Sequence, residues 1–398
     1  MMRNETHTGT PPWVIVAGGF HREGAMDQLN AALARYLIGQ GTPVHLVGHR
    51  FDDEFIEHPA ARLHRVAKPA GSFFLGQRQL DRAGRAVAAR VTARCPAARV
   101  LVNGVNCAWP DLNWIHFVHQ ALPPRVGGGG PRWLRLKNRL ETELQARRER
   151  TLLGGARRLF VNSERTRADL IETLGLSNER MTTVYPASDM AVGPPSAADR
   201  ASARAWLGFA TEPVVAFVGT LRHDHHKGFD TLWRAWRELC ARPDWSASLV
   251  VAGGGRMLEN WRRSVAAAGL EGRVRMLGHT ERIDEVLAAA DLLVSPTRYE
   301  AYGLNVHEAI ALGVPAMVTA RAGVAERYPA ALRDMLLPAP EDSADLSARL
   351  LAWSLNPSRA RQRFEAFGAQ LRACTTTAMA RQIVEFSASE TVEKKCAN

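Results

Sequence analysis

The constraint that most limits this chain is a rhythm of short apolar strands alternating with helical stretches. It runs once, is interrupted, and starts again. Trp13–Ala17, Val44–Val47, Arg99–Val102, Trp114–Val118, Leu159–Val161 and Thr182–Tyr185 read as strands of the first half. Between them, Ala25–Ile38, Arg78–Thr92 and a helix from Asn162-Ser163 to about Leu174 carry helical apolar spacing. Residues 186–201 are rich in Pro, Ser, Ala and Gly and read as a linker. The rhythm then restarts with strands Pro213–Val218, Ser248–Ala252, Val274–Leu277, Leu292–Val294 and Val314–Val318. Helices lie between them, including Phe229–Leu239 and Met257–Ala267, and the C-terminus is helical from about Ala344. Such alternation on both sides of a linker predicts two parallel-sheet α/β domains. In sheets of this kind ligands bind beyond the carboxyl ends of the strands, and a cleft between two such domains is a favoured place for them.

At 398 residues, two domains is the natural expectation. The five cysteines are scattered without a CxxC pair, which argues against a disulfide framework and a cysteine zinc site. Residues 1–12 are polar and do not read as a signal peptide, and no apolar run reaches bilayer length. A cytoplasmic protein is the simplest expectation. The net charge of +11 is carried mostly by arginine, since lysine occurs only at 68, 137, 227, 394 and 395. Zinc fingers, aromatic stacking platforms and basic recognition helices are missing, so nucleic acid is not the expected partner. The stretch 132–150 places Trp133, Leu136, Leu140 and Leu144 at helical spacing with arginines and Lys137 opposite. It could rest on an anionic membrane, on the inner face, although packing on its own domain is the commoner use of such a helix. Gly127 to Gly130 before it suggest a mobile loop.

The chemistry concentrates in Arg298-Tyr-Glu-Ala-Tyr-Gly-Leu-Asn-Val-His-Glu-Ala-Ile-Ala-Leu-Gly-Val-Pro315. Glu300 and Glu308 flank a glycine turn at Gly303, and an apolar helix, Val306 to Leu312, follows. A helix N-terminus offers free N–H groups to phosphate, and carboxylates accept hydrogen bonds from sugar hydroxyls. A sugar attached to a diphosphate satisfies both. Upstream, Gly219 follows a strand and permits close approach, and Arg222 and Lys227 add cations at that strand's exit. His223, His225 and His226 resemble metal ligands, yet no carboxylate or cysteine completes a set, so no metal is expected there. Gly253, in Val251-Ala-Gly-Gly-Gly255, ends another strand and admits a nucleotide or a tight turn. In the first half, Gly18-Gly19-Phe-His-Arg-Glu-Gly24 departs from the GxGxxG fingerprint, and its glycines make either a flexible loop able to reach a ligand or a purely structural turn. His116 and His119, an odd number of positions apart in a strand, would face opposite ways, with His119 the better ligand-facing candidate.

Together these motifs resemble the retaining glycosyltransferases of family 4, which have the two-domain GT-B architecture. The match rests on Glu300-Ala-Tyr-Gly-Leu-Asn-Val-His-Glu308, an E-x7-E motif. Ala290-Asp291, Ser295-Pro296 and Gly313-Val314-Pro315 around it match too, as do Phe217-Val-Gly219…Lys227-Gly228 and Val251-Ala-Gly-Gly254. In the first half it is fainter, touching the Gly24-Ala25-Met26 region, His119 and Phe160–Ser163. The resemblance implies a nucleotide-sugar donor. Glu300 would hold the sugar's hydroxyls, and the backbone at Gly303, Leu304 and Asn305 would contact sugar and phosphate. Glu308 would hold the ribose, Lys227 the diphosphate, and His119 would lie near the transferring sugar or the acceptor. Thr220 stands where the family usually has an arginine, with Arg222 as the nearest substitute. The resemblance also implies an acceptor-side domain over residues 1–190, a donor-binding domain over 191–374 and a final helix within 375–398 returning to the first domain. It implies no cofactor, no metal and UDP- or GDP-linked donors. The acceptor stays open among glycans, lipid-linked and small molecules. An epimerase or phosphorylase on the same architecture, or a binding subunit without turnover, are the alternatives.

Overall fold

The computed structural model describes residues 10–69, 73–122, 132–189, 193–223 and 225–388. Gly127 to Gly130 and the first nine residues lie outside that range. Two units emerge: residues 1–120, 140–186 and 376–398 form one, and 121–139 with 187–375 form the other. Each is built on one open parallel sheet.

The first unit holds β1 (Trp13–Val16), β2 (Gly19–Phe20), β3 (Val44–Gly48), β4 (Arg50–Phe51), β5 (Ala61–Arg65), β6 (Arg99–Asn103), β7 (Leu112–Ile115), β8 (Arg158–Val161) and β9 (Met181–Thr183). Seven of them form the sheet β5-β3-β1-β6-β7-β8-β9. Every residue of β1 is buried, as a near-continuous apolar run in a parallel sheet requires. Helices α1 (Ala25–Gly39), α2 (Phe73–Arg94), α3 (Arg132–Gly155, of which residues 132–139 group with the second unit) and α4 (Glu164–Leu174) connect the strands. Strand order reverses between β1 and β6, so the loops leaving those two strands diverge at a switch point.

The second unit opens with α5 (Ala197–Leu207). Then come β10 (Val214–Val218), α6 (Phe229–Cys240), β11 (Ser248–Ala252), α7 (Leu258–Ala267), β12 (Val274–Gly278), α8 (Ile283–Ala289), β13 (Leu292–Ser295), α9 (Leu304–Ala311), β14 (Ala316–Thr319), β15 (Leu336–Leu337), α10 (Ser343–Ser354) and α11 (Pro357–Arg372). Its sheet runs β12-β11-β10-β13-β14-β15, and the switch point falls between β10 and β13. The last helix, α12 (Thr376–Ala388), belongs to the first unit and packs on α1. Arg158 donates to the Phe386 carbonyl at its end, 2.8 Å.

Four local readings change. The linker is shorter than its composition suggests, because Ser196 and Asp199 form a capping box that starts α5 inside it. The strand read as Trp114–Val118 ends at Ile115, and His119 begins a short 3-10 turn. The strand alternation argument for His116 and His119 therefore does not apply. The helix of the E-x7-E motif starts at Leu304, two residues before the expected Val306, since Gly303 (φ 107°) makes the turn. Finally, the leucine face of α3 is not the packed one: Leu136, Leu140 and Leu144 are 60%, 51% and 52% exposed. Among the described residues the inward contacts are largely polar, with Gln145 donating to Gln77, Arg148 to the Val105 carbonyl and Glu149 sealed at 1% exposure, and with Leu153 buried near the helix end. The side chains of Trp133 and Lys137 lie outside the described residues.

One sheet edge carries a titratable pair. His45 of β3 and His64 of β5 share a hydrogen bond of 3.0 Å. Burial lowers the His45 pKa to about 4, helped by His64, Arg62, Arg90 and Arg94, and burial with Arg90 and Arg62 lowers that of His64. Both are neutral when folded, while the unfolded chain takes up protons near pH 6.5. Their contribution is present above pH 6.5 and is lost as pH falls from there through about 4. Thermal melts from pH 7 to pH 4 should show Tm falling across that window, and the fall should be shallower in His45→Gln. An equal slope in the variant would remove the pair as its source.

Candidate active site in the second unit

The site is assembled by two segments leaving the carboxyl ends of neighbouring strands, residues 219–228 after β10 and 296–303 after β13. Backbone contact fixes the first. Gly219 N–H donates to the Ala252 carbonyl at 2.9 Å, and Leu221 N–H to Gly254, also at 2.9 Å. Gly253 has φ 147°, and a Cβ there would lie 1.9 Å from the Gly219 oxygen. Only glycine lets these two loops touch. The same holds at Gly228 (φ 71°), where a Cβ would sit 1.9 Å from the Pro296 oxygen.

The two segments are then stitched together. Arg298, 4% exposed, makes two bonds of 2.8 Å to the Asp230 carboxylate. Its N–H donates to the His226 carbonyl at 2.9 Å, and Thr297 Oγ1 donates to the same oxygen at 3.1 Å. A two-pronged, charge-assisted pair of this kind holds geometry as well as charge. Its consequence is that Lys227 Nζ reaches Glu300 Oε2 and the two form an ion pair. Both side chains remain partly open, 26% and 18% exposed.

Beyond Glu300 the chain turns at Gly303 into α9. The N–H groups of Leu304 and Asn305 stand in its first turn, ahead of the bond from Val306 N–H to the Gly303 carbonyl at 3.1 Å. Asn305 donates its side-chain amide to the Val218 carbonyl at 3.0 Å, tying the head of α9 to the end of β10. Glu308, one turn on and 7% exposed, accepts from Ser188 Oγ at 3.0 Å. Glu300, Gly303, Leu304, Asn305, Gly219 and Lys227 thus converge at the second switch point, with Gly253 beside Gly219. Arg222 and Thr220 lie exposed on the same loop.

Sequence reasoning missed what lies beneath this surface. Tyr302 hydroxyl and His307 Nδ1 are 2.8 Å apart, and Arg327 donates to the same hydroxyl at 3.3 Å. Burial raises the Tyr302 pKa to about 12 and lowers that of His307 to about 4, so both are neutral at pH 7. They support the motif from below. The signal was available: both belong to the motif, but as letters between the two glutamates they carried no chemistry of their own. Asp291, matched alongside the motif, sits at the other, amino-terminal end of the central strands. There it accepts from Val214 N–H at 2.8 Å and Arg204 at 2.6 Å and anchors the base of β13.

The remaining expected residues belong to the first unit. His119 is held by the buried Glu149, whose Oε1 lies 3.0 Å from its N–H and 3.1 Å from Nδ1. Gln120 N–H donates to the other oxygen at 3.3 Å. Gly19 and Gly24 flank the loop between β1 and α1. That loop is firmer than its glycines suggest, because Gly19–Phe20 pairs with Arg50–Phe51, and Phe20 stacks on Phe51 with ring centroids 5.5 Å apart.

With the geometry in place, the known proteins of similar sequence and structure can be set beside it. Residues 28–192 match the glycosyltransferase family 4 model, and residues 212–356 match that of the glycosyl transferases group 1. The D-inositol 3-phosphate glycosyltransferase of Nocardia farcinica is 35% identical over 178 residues, 42% of this chain and 39% of that protein. The chain spans less than half the length of the curated relatives it matches. Among solved structures, sucrose-phosphate synthase from Thermosynechococcus elongatus superposes with a TM-score of 0.74 at 20% identity, covering 96% of this chain and 100% of that one. HepE of Anabaena, solved in complex with UDP and glucose, gives 0.69 at 17% identity over 96% of this chain and 100% of its own. At such identities these two establish the fold alone. With its two matched domains and two open parallel sheets, the chain belongs to the family 4, group 1 glycosyltransferases of GT-B fold.

Proposed function

We propose that the chain transfers a sugar from a nucleoside diphosphate sugar, UDP- or GDP-linked, to a hydroxyl acceptor with retention of anomeric configuration. The observation that carries this reading is the convergence of Lys227, Glu300, the Gly303 turn and Glu308 at the switch point of the second sheet. A neighbour of the same fold solved with UDP and glucose supports a UDP-linked donor as the first to test.

Each group has a part. The α9 N-terminus and Lys227 would face the diphosphate, where negative charge grows as the bond to the sugar breaks. Arg222 would add a second cation. Glu300 would accept hydrogen bonds from the sugar's hydroxyls, and Glu308 from the ribose. With no enzymic nucleophile in the motif, the acceptor would attack from the face the diphosphate leaves, passing its proton to the departing phosphate. The cations would neutralise that phosphate without a metal. His119, oriented by Glu149, would contact the transferring sugar or the acceptor.

The exposed leucines of α3 extend the proposal to a peripheral anionic membrane surface, since exposed Arg139, Arg147 and Arg150 share that helix. Among the described residues no helix is long and apolar enough to cross a membrane.

Four measurements test these assignments. Glu308→Ala should weaken UDP-sugar binding by calorimetry about 10- to 100-fold, the range for a lost hydrogen bond to a charged group. Unchanged affinity would sink the ribose assignment. Lys227→Ala should cut turnover about 10²- to 10³-fold, the cost typical of removing one electrostatic stabiliser of a transition state. Product NMR should show the donor's anomeric configuration, and EDTA should leave the rate unchanged; inversion or loss of activity on chelation would refute the mechanism.

A further inference from the structure

Away from the switch point, the second unit holds a concavity of about 370 Å³ lined by Ala205, Trp206, Leu207, Gly208, Arg275 and Leu277. Its walls come from the end of α5 and from β12, the edge strand of the sheet. Small-molecule sites run from roughly 300 to 1,000 Å³, so this one suits a single ring with a charged group. None of its residues belongs to the set that converges around Lys227 and Glu300.

Two side chains set the chemistry of the walls. Helix α5 buries Ala203 and Leu207, while Trp206 is off that face and 37% exposed. Although it stands at the surface, the indole is held in place. The Arg282 guanidinium lies 3.8 Å from its ring centroid, a cation–π contact. Arg282 is fixed in turn by Glu285, with Nε donating to Oε1 at 2.7 Å, so its charge is answered within the wall.

Arg275 is held at one end only. Its Nε donates to the Leu207 carbonyl at 3.2 Å and so caps the end of α5. Gly208 makes room for it: with φ 74° it ends the helix, and a Cβ there would lie 2.9 Å from Arg275 Nη2. The two terminal nitrogens of Arg275 have no partner among the described residues. Other arginines of this unit do use theirs: Arg204 on Asp291, Arg262 on the Met276 carbonyl and Arg273 on the Trp245 carbonyl.

A fixed guanidinium with two free donors grips a carboxylate or a phosphate at two points. The indole and Leu277 beside it favour a flat ring. A metal cation is repelled by the arginines, and a neutral molecule leaves the fork unanswered. We infer that this pocket binds a compact organic anion, one carboxylate or phosphate joined to a single flat ring, with Arg275 on the anion and Trp206 and Leu277 against the ring. The inference stands apart from the glycosyltransferase reading, since it uses none of the donor-site residues.

The probes are benzoate and phenyl phosphate, titrated into the full chain by saturation-transfer NMR, with inorganic phosphate as the ringless competitor. At least one ring anion should bind the wild type. Benzoate alone would mark a carboxylate site and phenyl phosphate alone a phosphate monoester site, and either bears the inference out. Affinity should fall tenfold or more in Arg275→Gln and in Trp206→Ala. Inorganic phosphate should displace the probe only at a concentration tenfold higher or more. Thermal melts check that each variant is folded. Arg275→Lys, which keeps the charge and loses the fork, repeats the test if Arg275→Gln loosens the end of α5. Binding of neither probe by the wild type, unchanged affinity in either folded variant, or displacement by inorganic phosphate at equal concentration would overturn the inference.

Discussion

The second unit's site depends on one buried pair. Arg298 and Asp230 come from segments that leave different strands, and their two charge-assisted bonds lock those segments together. Everything catalytic in the proposal follows from that lock. It sets Lys227 beside Glu300 and aims the Gly303 turn, and through the turn it fixes where the α9 N-terminus points. A guanidinium 4% exposed is costly to bury unless its partner is fixed. The partner is fixed here because Asp230 stands in the first turn of α6, directly after Gly228, whose backbone touches Pro296.

The pairing of Lys227 with Glu300 also shapes how the donor assignments fit together. A cation meant for phosphate and an anion meant for hydroxyls sit in direct contact. Each lowers the other's desolvation cost, so both can be held partly buried at the edge of a packed sheet. A ligand that carries negative phosphate on one side and hydroxyl donors on the other complements both charges without separating them far. Neither a free phosphate nor a free sugar does so.

Much of this was legible in the sequence for a physical reason. Parallel strands buried on both faces are short apolar runs, and β1, β10, β11 and β13 are visible as such. Two glycines that follow them, Gly219 after β10 and Gly253 after β11, mark a real close approach between those loops. What failed was whatever long-range packing decides. His119 lies in a 3-10 turn held by Glu149, thirty residues away, and no periodicity reports that bond. The leucines of α3 have the spacing of a packed face, yet Gln145, Arg148 and Glu149 found partners inside and turned that face outward. The loop after β1 looks flexible from its glycines, but its stiffness comes from pairing with Arg50–Phe51, which local composition cannot show.

The two sheets solve the same problem with different chemistry. Each has a switch point, a glycine loop leaving its central strand and a carboxylate beside it: Glu300 in the second unit, Asp27 in the first. They differ in the partner. Glu300 faces Lys227, on the loop that leaves β10, and the two form an ion pair. Asp27 faces a buried histidine, with glycine backbone elsewhere around it. A carboxylate paired with a cation can serve a ligand that carries both anionic and hydroxyl parts, whereas one paired with a buried histidine offers no such full charge beside it.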